Sequence, residues 1–150
     1  ALAQAEALKR DKIQDLNEEL KTKKYLALET TEGSGYRMRG GKLIQTNKAS
    51  TVRKLKGRVI IAPDNSLANQ ERVIYFQFLG PNMGIIEDNA NTINVNGNVY
   101  SKRVVVDFTG TQTEAIDYVS IPEGSLESGD YILNVFEDQR LLQTTEFQLK

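Results

Sequence analysis

The chain has 150 residues, no cysteine, histidine or tryptophan, 39% hydrophobic side chains and a net charge of −1. Without cysteine or histidine there is no disulfide framework, no thiolate or imidazole metal site, and no Ser-His-Asp or Cys-His catalytic unit. No apolar run approaches the ~18 residues of a membrane-spanning helix, and no secretory h-region opens the chain, so a mature form or a fragment is expected.

Residues 1–28 read as a helix, because Ala, Leu, Lys, Glu and Gln dominate and no Gly or Pro interrupts. Ala5, Leu8, Ile13, Leu16 and Leu20 form a narrow apolar stripe among charged neighbours. Such a stripe suits a coiled coil of two or three strands. These five residues are the expected oligomerisation face, giving a homo-oligomer, dimer or trimer. The alternative is that the stripe packs on its own domain, since an isolated helix of this length is marginal in water. Thr30, Thr31 and Gly33-Ser34-Gly35 are expected to end the helix. A helical stalk over 1–32 follows.

Charge then changes sign. Residues 36–58 carry eight basic side chains, Arg37, Arg39, Lys42, Lys48, Arg53, Lys54, Lys56 and Arg58, and no acid, while residues 59–150 sum to −8. This basic strip is expected to lie mainly against the acidic domain that follows it, with anionic lipid as a further reading. It holds one aromatic, Tyr36, so it offers no stacking platform and no nucleic-acid partner is expected. Gly40-Gly41 between alternating residues signals a two-residue hairpin, or else a mobile linker, within a segment assigned to 33–52. A phosphate-binding P-loop is excluded, because Tyr36 and Leu43 stand where that motif needs Gly and Ser or Thr.

From residue 53 to 150 the pattern becomes strands and turns. Arg53–Ala62, Arg72–Leu79, Gly84–Ile86, Thr92–Val95, Val99–Phe108, Ala115–Ile121, Asp130–Glu137 and Leu142–Leu149 are rich in Val, Ile, Tyr, Phe and Thr. Pro, Gly, Asn and Asp separate them, and Asn96-Gly97 is the strongest hairpin signal. The predicted fold is mainly β: an Ig-like antiparallel sandwich of 7–8 strands preceded by one α-helix. Its predicted core holds Ile60, Ile74, Phe76, Phe78, Val104, Val106, Phe108, Val119, Ile121, Tyr131, Leu133, Val135, Phe147 and Leu149.

Several segments carry a resemblance. They are Gly40-Gly41-Lys42, Val59-Ile60-Ile61, Asn69-Gln70-Glu71-Arg72-Val73-Ile74-Tyr75-Phe76 and Leu79-Gly80-Pro81-Asn82-Met83-Gly84. Val99-Tyr100-Ser101, Leu126-Glu127-Ser128-Gly129-Asp130-Tyr131-Ile132 and Phe147-Gln148-Leu149-Lys150 complete the series. In this order the chain resembles uncharacterised periplasmic envelope proteins of Bacteroidota, built from an N-terminal coiled coil and a C-terminal Ig-like sandwich. The resemblance implies a periplasmic or other extracytoplasmic location. It brings no catalytic residues, and it implies membrane contact only through an anchor upstream of this sequence.

Catalysis would fall to carboxylates, Lys, Tyr or Ser. The adjacent acids Glu87-Asp88 and Glu137-Asp138 point to opposite faces if they lie in strands, so neither pair converges by itself. Ser101-Lys102 needs convergence in space to act as a dyad. The Asn-rich stretch 87–98 begins like a calcium loop but has Thr92 and Asn98 where an EF-hand needs Gly and Glu. The expectation is therefore a non-enzymatic module with no cofactor and no metal, engaging an unidentified protein partner. The alternative is a sandwich binding calcium or a glycan at loops 63–71, 80–92 and 109–114.

Overall fold

Alternation of apolar and polar side chains gives each strand one inward face, and Leu55, Gly57, Val59 and Ile61 against Lys54, Lys56, Arg58 and Ile60 show it plainly. The computed structural model describes residues 24–150. Its strands are β1 (Leu28–Arg39), β2 (Lys42–Thr46), β3 (Lys54–Ile61), β4 (Gln70–Leu79), β5 (Ile93–Val95), β6 (Asn98–Tyr100), β7 (Lys102–Phe108), β8 (Thr113–Ser120), β9 (Gly129–Glu137) and β10 (Arg140–Leu149). One antiparallel sheet has the order β2-β1-β3-β8, the other β10-β9-β4-β7, and β5-β6 form a separate hairpin. Leu55, Val59, Ile61 and Val119 of the first sheet meet Phe76, Phe78, Leu133 and Val135 of the second in one buried core. With β3 and β8 on one sheet and β4, β9 and β10 on the other, the partition matches the B, E and C, F, G strands of an immunoglobulin sandwich.

The expected N-terminal helix is overturned where it can be seen. Among the described residues there is no α-helix, only 3-10 turns at Ala49–Thr51 and Asn65–Leu67. Residues 24–27 are not helical, and β1 starts at Leu28. Tertiary contacts outweigh helix propensity here: Leu26 is 3% exposed, and its N–H donates to the Glu137 carboxylate at 3.0 Å. The rest of that expectation, with Ala5, Leu8, Ile13, Leu16 and Leu20, lies outside the described residues. The boundary drawn between 32 and 33 falls in the middle of β1, and β1, β2 and the 3-10 turn at Ala49–Thr51 belong to the sandwich.

Glycine was the misleading signal. Gly33 and Gly35 are strand residues, not breakers, and each leaves room for a side chain opposite. A Cβ on Gly33 would lie 2.5 Å from the Phe147 ring. One on Gly35 would lie 2.9 Å from Val52. This is the close-approach use of glycine in a strand. By contrast Gly40-Gly41 does turn a hairpin, with φ of 58° and 77°, and so does Asn96-Gly97, with φ of 52° and 85°.

Most of the predicted core is buried, but Ile60 faces outward and Ile121 and Phe147 are only partly covered. Three consecutive apolar residues at 59–61 hide the pleat, and the alternation of Lys54 to Arg58 sets it. Gly84–Ile86 makes a single bridge, Leu79 to Ile85, rather than a strand. The strand predicted over Val99–Phe108 is broken at Ser101, whose hydroxyl accepts the N–H of Phe78 at 3.0 Å.

Candidate functional site

The outer face of the first sheet gathers the densest set of polar and aromatic side chains. Register places Glu32, Arg58 and Ile116 in one row across β1, β3 and β8. The next row is Ser34, Lys56 and Tyr118, and the next is Gln45, Tyr36, Lys54 and Ser120. Arg58 is clamped between two carboxylates, with Glu114 at 2.7 Å and Glu32 at 3.2 Å. The Glu114 hydrogen bond, chiefly, holds the Arg58 guanidinium above its ordinary pKa.

The two lysines lie on tyrosine rings. Lys56 Nζ stands 5.5 Å from the Tyr36 ring centroid and Lys54 Nζ 6.0 Å from that of Tyr118. The rings meet edge to face at 6.0 Å. Ser34, the small residue between Glu32 and Tyr36, leaves a depression of about 450 Å³ lined by Glu32, Ser34, Tyr36, Gln45, Lys56 and Arg58. Hydrogen-bond donors and acceptors both line it, beside an aromatic ring. The carboxylate that lines it, Glu32, is engaged with Arg58.

The basic strip divides in two. Arg58 pairs with Glu32 and Glu114, Arg53 with Glu123 at 3.0 Å, and Lys54 and Lys56 rest on tyrosines. Arg37, Arg39, Lys42 and Lys48 have no acidic side chain within ion-pair distance among the described residues.

The other chemistry-bearing residues are committed to structure. Glu137 is 3% exposed and pairs with Arg72, which also donates to the Lys24 carbonyl at 2.9 Å. Asp88 pairs with Lys102 at 3.1 Å and accepts the Ser120 N–H at 2.8 Å. Lys102 is thereby drawn away from the buried Ser101, and no Ser-Lys dyad forms. Asp64 accepts from Ser66 and pairs with Lys24 at 2.9 Å. Chiefly through the Ser66 hydroxyl, its carboxyl is held below its ordinary pKa. Among the described residues no three acidic side chains group as a metal site, and Asp64 and Asp88 tie their loops to Lys24 and to Lys102 and Ser120.

Of the six tyrosines, Tyr75 and Tyr100 stack at 4.7 Å outside the second sheet, and Tyr131 lies in the core against Phe147. Tyr25 lies under the Arg140 guanidinium, and Tyr36 and Tyr118 are the pair on the outer face of the first sheet. Sequence reasoning missed Ser34 and Gln45. The signal available was the shared period-two pattern of Glu32, Ser34 and Tyr36 with Lys54, Lys56 and Arg58.

No curated protein matches this chain in sequence. Among solved structures, an immunoglobulin-like protein from Pseudomonas aeruginosa aligns at 13% identity and a TM-score of 0.46, covering 86% of this chain and 99% of its own. A beta-glucosidase from Kluyveromyces marxianus aligns at 14% identity and a TM-score of 0.45, covering 84% of this chain, which spans 14% of the glucosidase. The model of one family matches residues 29–150, from the start of β1 to the last residue, and the chain belongs to that family, a domain of unknown function designated DUF8428.

Proposed function

We propose that the chain is a non-enzymatic interaction module of the cell envelope, acting outside the cytoplasm and presenting the outer face of its first sheet to a protein partner. The observation that carries this reading is the Lys54, Lys56, Tyr36 and Tyr118 array around the depression at Ser34. Tyrosine is among the side chains that most often anchor protein interfaces, and here a rigid sheet holds two of them side by side. The carboxylates and the serine that catalysis would need are tied into ion pairs and backbone hydrogen bonds, which supports a binding role. The envelope location rests on the resemblance to Bacteroidota envelope proteins.

Co-purification of the full chain from its native cells tests the reading. Wild type should bring down a partner from the envelope fraction, and Lys54→Glu/Lys56→Glu, folded by circular dichroism, should lose it. Retention by that variant removes the sheet face from the proposal. Self-association of the full chain belongs to the same reading, and a monomeric mass by light scattering removes it.

A second reading is a glycan seated in the same depression, favoured by its mixed donors and acceptors beside Tyr36. Thermal shifts against a glycan panel, lost in Gln45→Ala, would support it over a protein partner.

A further inference from the structure

The β1–β2 hairpin runs past the end of the sandwich. β3 begins at Lys54, opposite Tyr36, so among the described residues 37–44 have no strand partner beyond their own pairing. That pairing sets Arg37 against Ile44, Met38 against Leu43 and Arg39 against Lys42. At the tip, a Cβ built on Gly40 or Gly41 meets nothing within 4 Å. The pleat puts Met38 and Leu43 on one face and Arg37, Arg39, Lys42 and Ile44 on the other. Met38 is 40% exposed and Ile44 37%. The three cations have no acidic neighbour at ion-pair distance among the described residues, unlike Arg53 and Arg58. Lys48, equally unpaired, follows β2 at the same end.

We infer that this hairpin docks on an anionic lipid bilayer, its cations on headgroup phosphates and Met38 and Ile44 packed within the headgroup layer. Exposed apolar side chains occupy both faces of the hairpin and alternate with cations along it. A bilayer surface receives both faces of a projecting tip at once, and its headgroup phosphates meet Arg39 and Lys42, the pair next to the turn, first. A groove on an acidic protein would engage one face and leave the other wet. The chain outside residues 37–44 sums to −4 and is repelled by the same surface, which orients the tip toward it. The inference goes beyond the sheet-face reading and needs neither Lys54 nor Lys56.

Co-sedimentation of the full chain with phosphatidylcholine vesicles, with and without phosphatidylglycerol, tests it. Binding is expected only to vesicles containing phosphatidylglycerol, and it should weaken as salt shortens the Debye length. Arg37→Ala/Arg39→Ala/Lys42→Ala should lower the partition coefficient on the order of a hundredfold. Met38→Ser/Ile44→Ser should lower it further at high salt. Absence of binding at low salt overturns the inference, as does binding that the triple variant retains. Equal binding to immobilised poly-glutamate, lost in the triple variant, would assign the hairpin to an acidic protein and also overturn it.

Discussion

Gly33 and Gly57 face each other across the β1–β3 ladder, and each carries an aromatic ring of the opposite sheet where a Cβ would stand. Phe147 occupies the space at Gly33 and Phe76 that at Gly57, both at 2.5 Å from the ideal Cβ. The paired glycines thus let the two sheets close over Phe76, which is fully buried. Ala at either position should overpack the core and destabilise by ~1–3 kcal/mol. Gly57→Ala/Phe76→Leu should recover part of the loss, because the shorter side chain relieves the clash. Urea unfolding of the four variants in a double-mutant cycle checks this.

The Arg72–Glu137 pair fastens the chain before β1 to the second sheet. Arg72 holds the Lys24 carbonyl and Glu137 accepts the Leu26 N–H. Glu137→Ala would leave a guanidinium in a largely buried site and should cost ~3–5 kcal/mol. Arg72→Met/Glu137→Leu should lose less, because no unpaired charge remains. For the same reason a truncation starting at Lys24 should fold, and one starting at Tyr36, which removes most of β1, should not. Denaturant midpoints and near-UV circular dichroism report both.

Acid should loosen the same region. The folded state lowers the pKa of Asp64 through the Ser66 hydroxyl, then Lys24. A depressed carboxyl contributes stability above its unfolded pKa and loses it as pH falls through the folded value. Asp64→Asn should therefore be less stable than wild type at neutral pH, and the difference should vanish in acid. Burial raises Tyr100 and Tyr131, so stability should fall from the ordinary tyrosine range upward as the unfolded chain ionises first. Unfolding free energy measured against pH, with Asp64→Asn in parallel, tests both limbs.

The free edge of β8 is closed from within. Asp117 Oδ1 accepts the Tyr118 N–H at 2.8 Å, Asp88 accepts that of Ser120, and Asn89 donates to the Ser120 carbonyl at 2.8 Å. An uncovered edge is a template for pairing with another chain. Asp88→Ala/Asp117→Ala should raise self-association with little loss of secondary structure. Light scattering across a concentration series would show the rise, and an unchanged mass would contradict it.

Strands β3, β4, β9 and β10 were legible because their alternation and their turns agree. The Asn96-Gly97 and Gly40-Gly41 hairpins were legible because only residues tolerant of positive φ fit them. β1 was not, since Gly33 and Gly35 look like breakers until the Phe147 ring that needs them is known. Lys24–Leu28 continued a helical composition, but the contact that decides its conformation, Glu137, lies 111 residues from Leu26. The candidate site was legible as charge and not as geometry. Eight cations stood out in the composition, yet which of them rest on Tyr36 and Tyr118 depends on a register that brings β1, β3 and β8 together.

The reading that the first sheet's outer face meets a partner is tested most directly by site-specific photo-crosslinking in native cells. A crosslinker replaces Ser34, in the depression, and separately Val105, which is 47% exposed on the second sheet. A discrete adduct from position 34 and none from position 105 is the predicted result. No adduct at 34, or the same adducts from both positions, would contradict it.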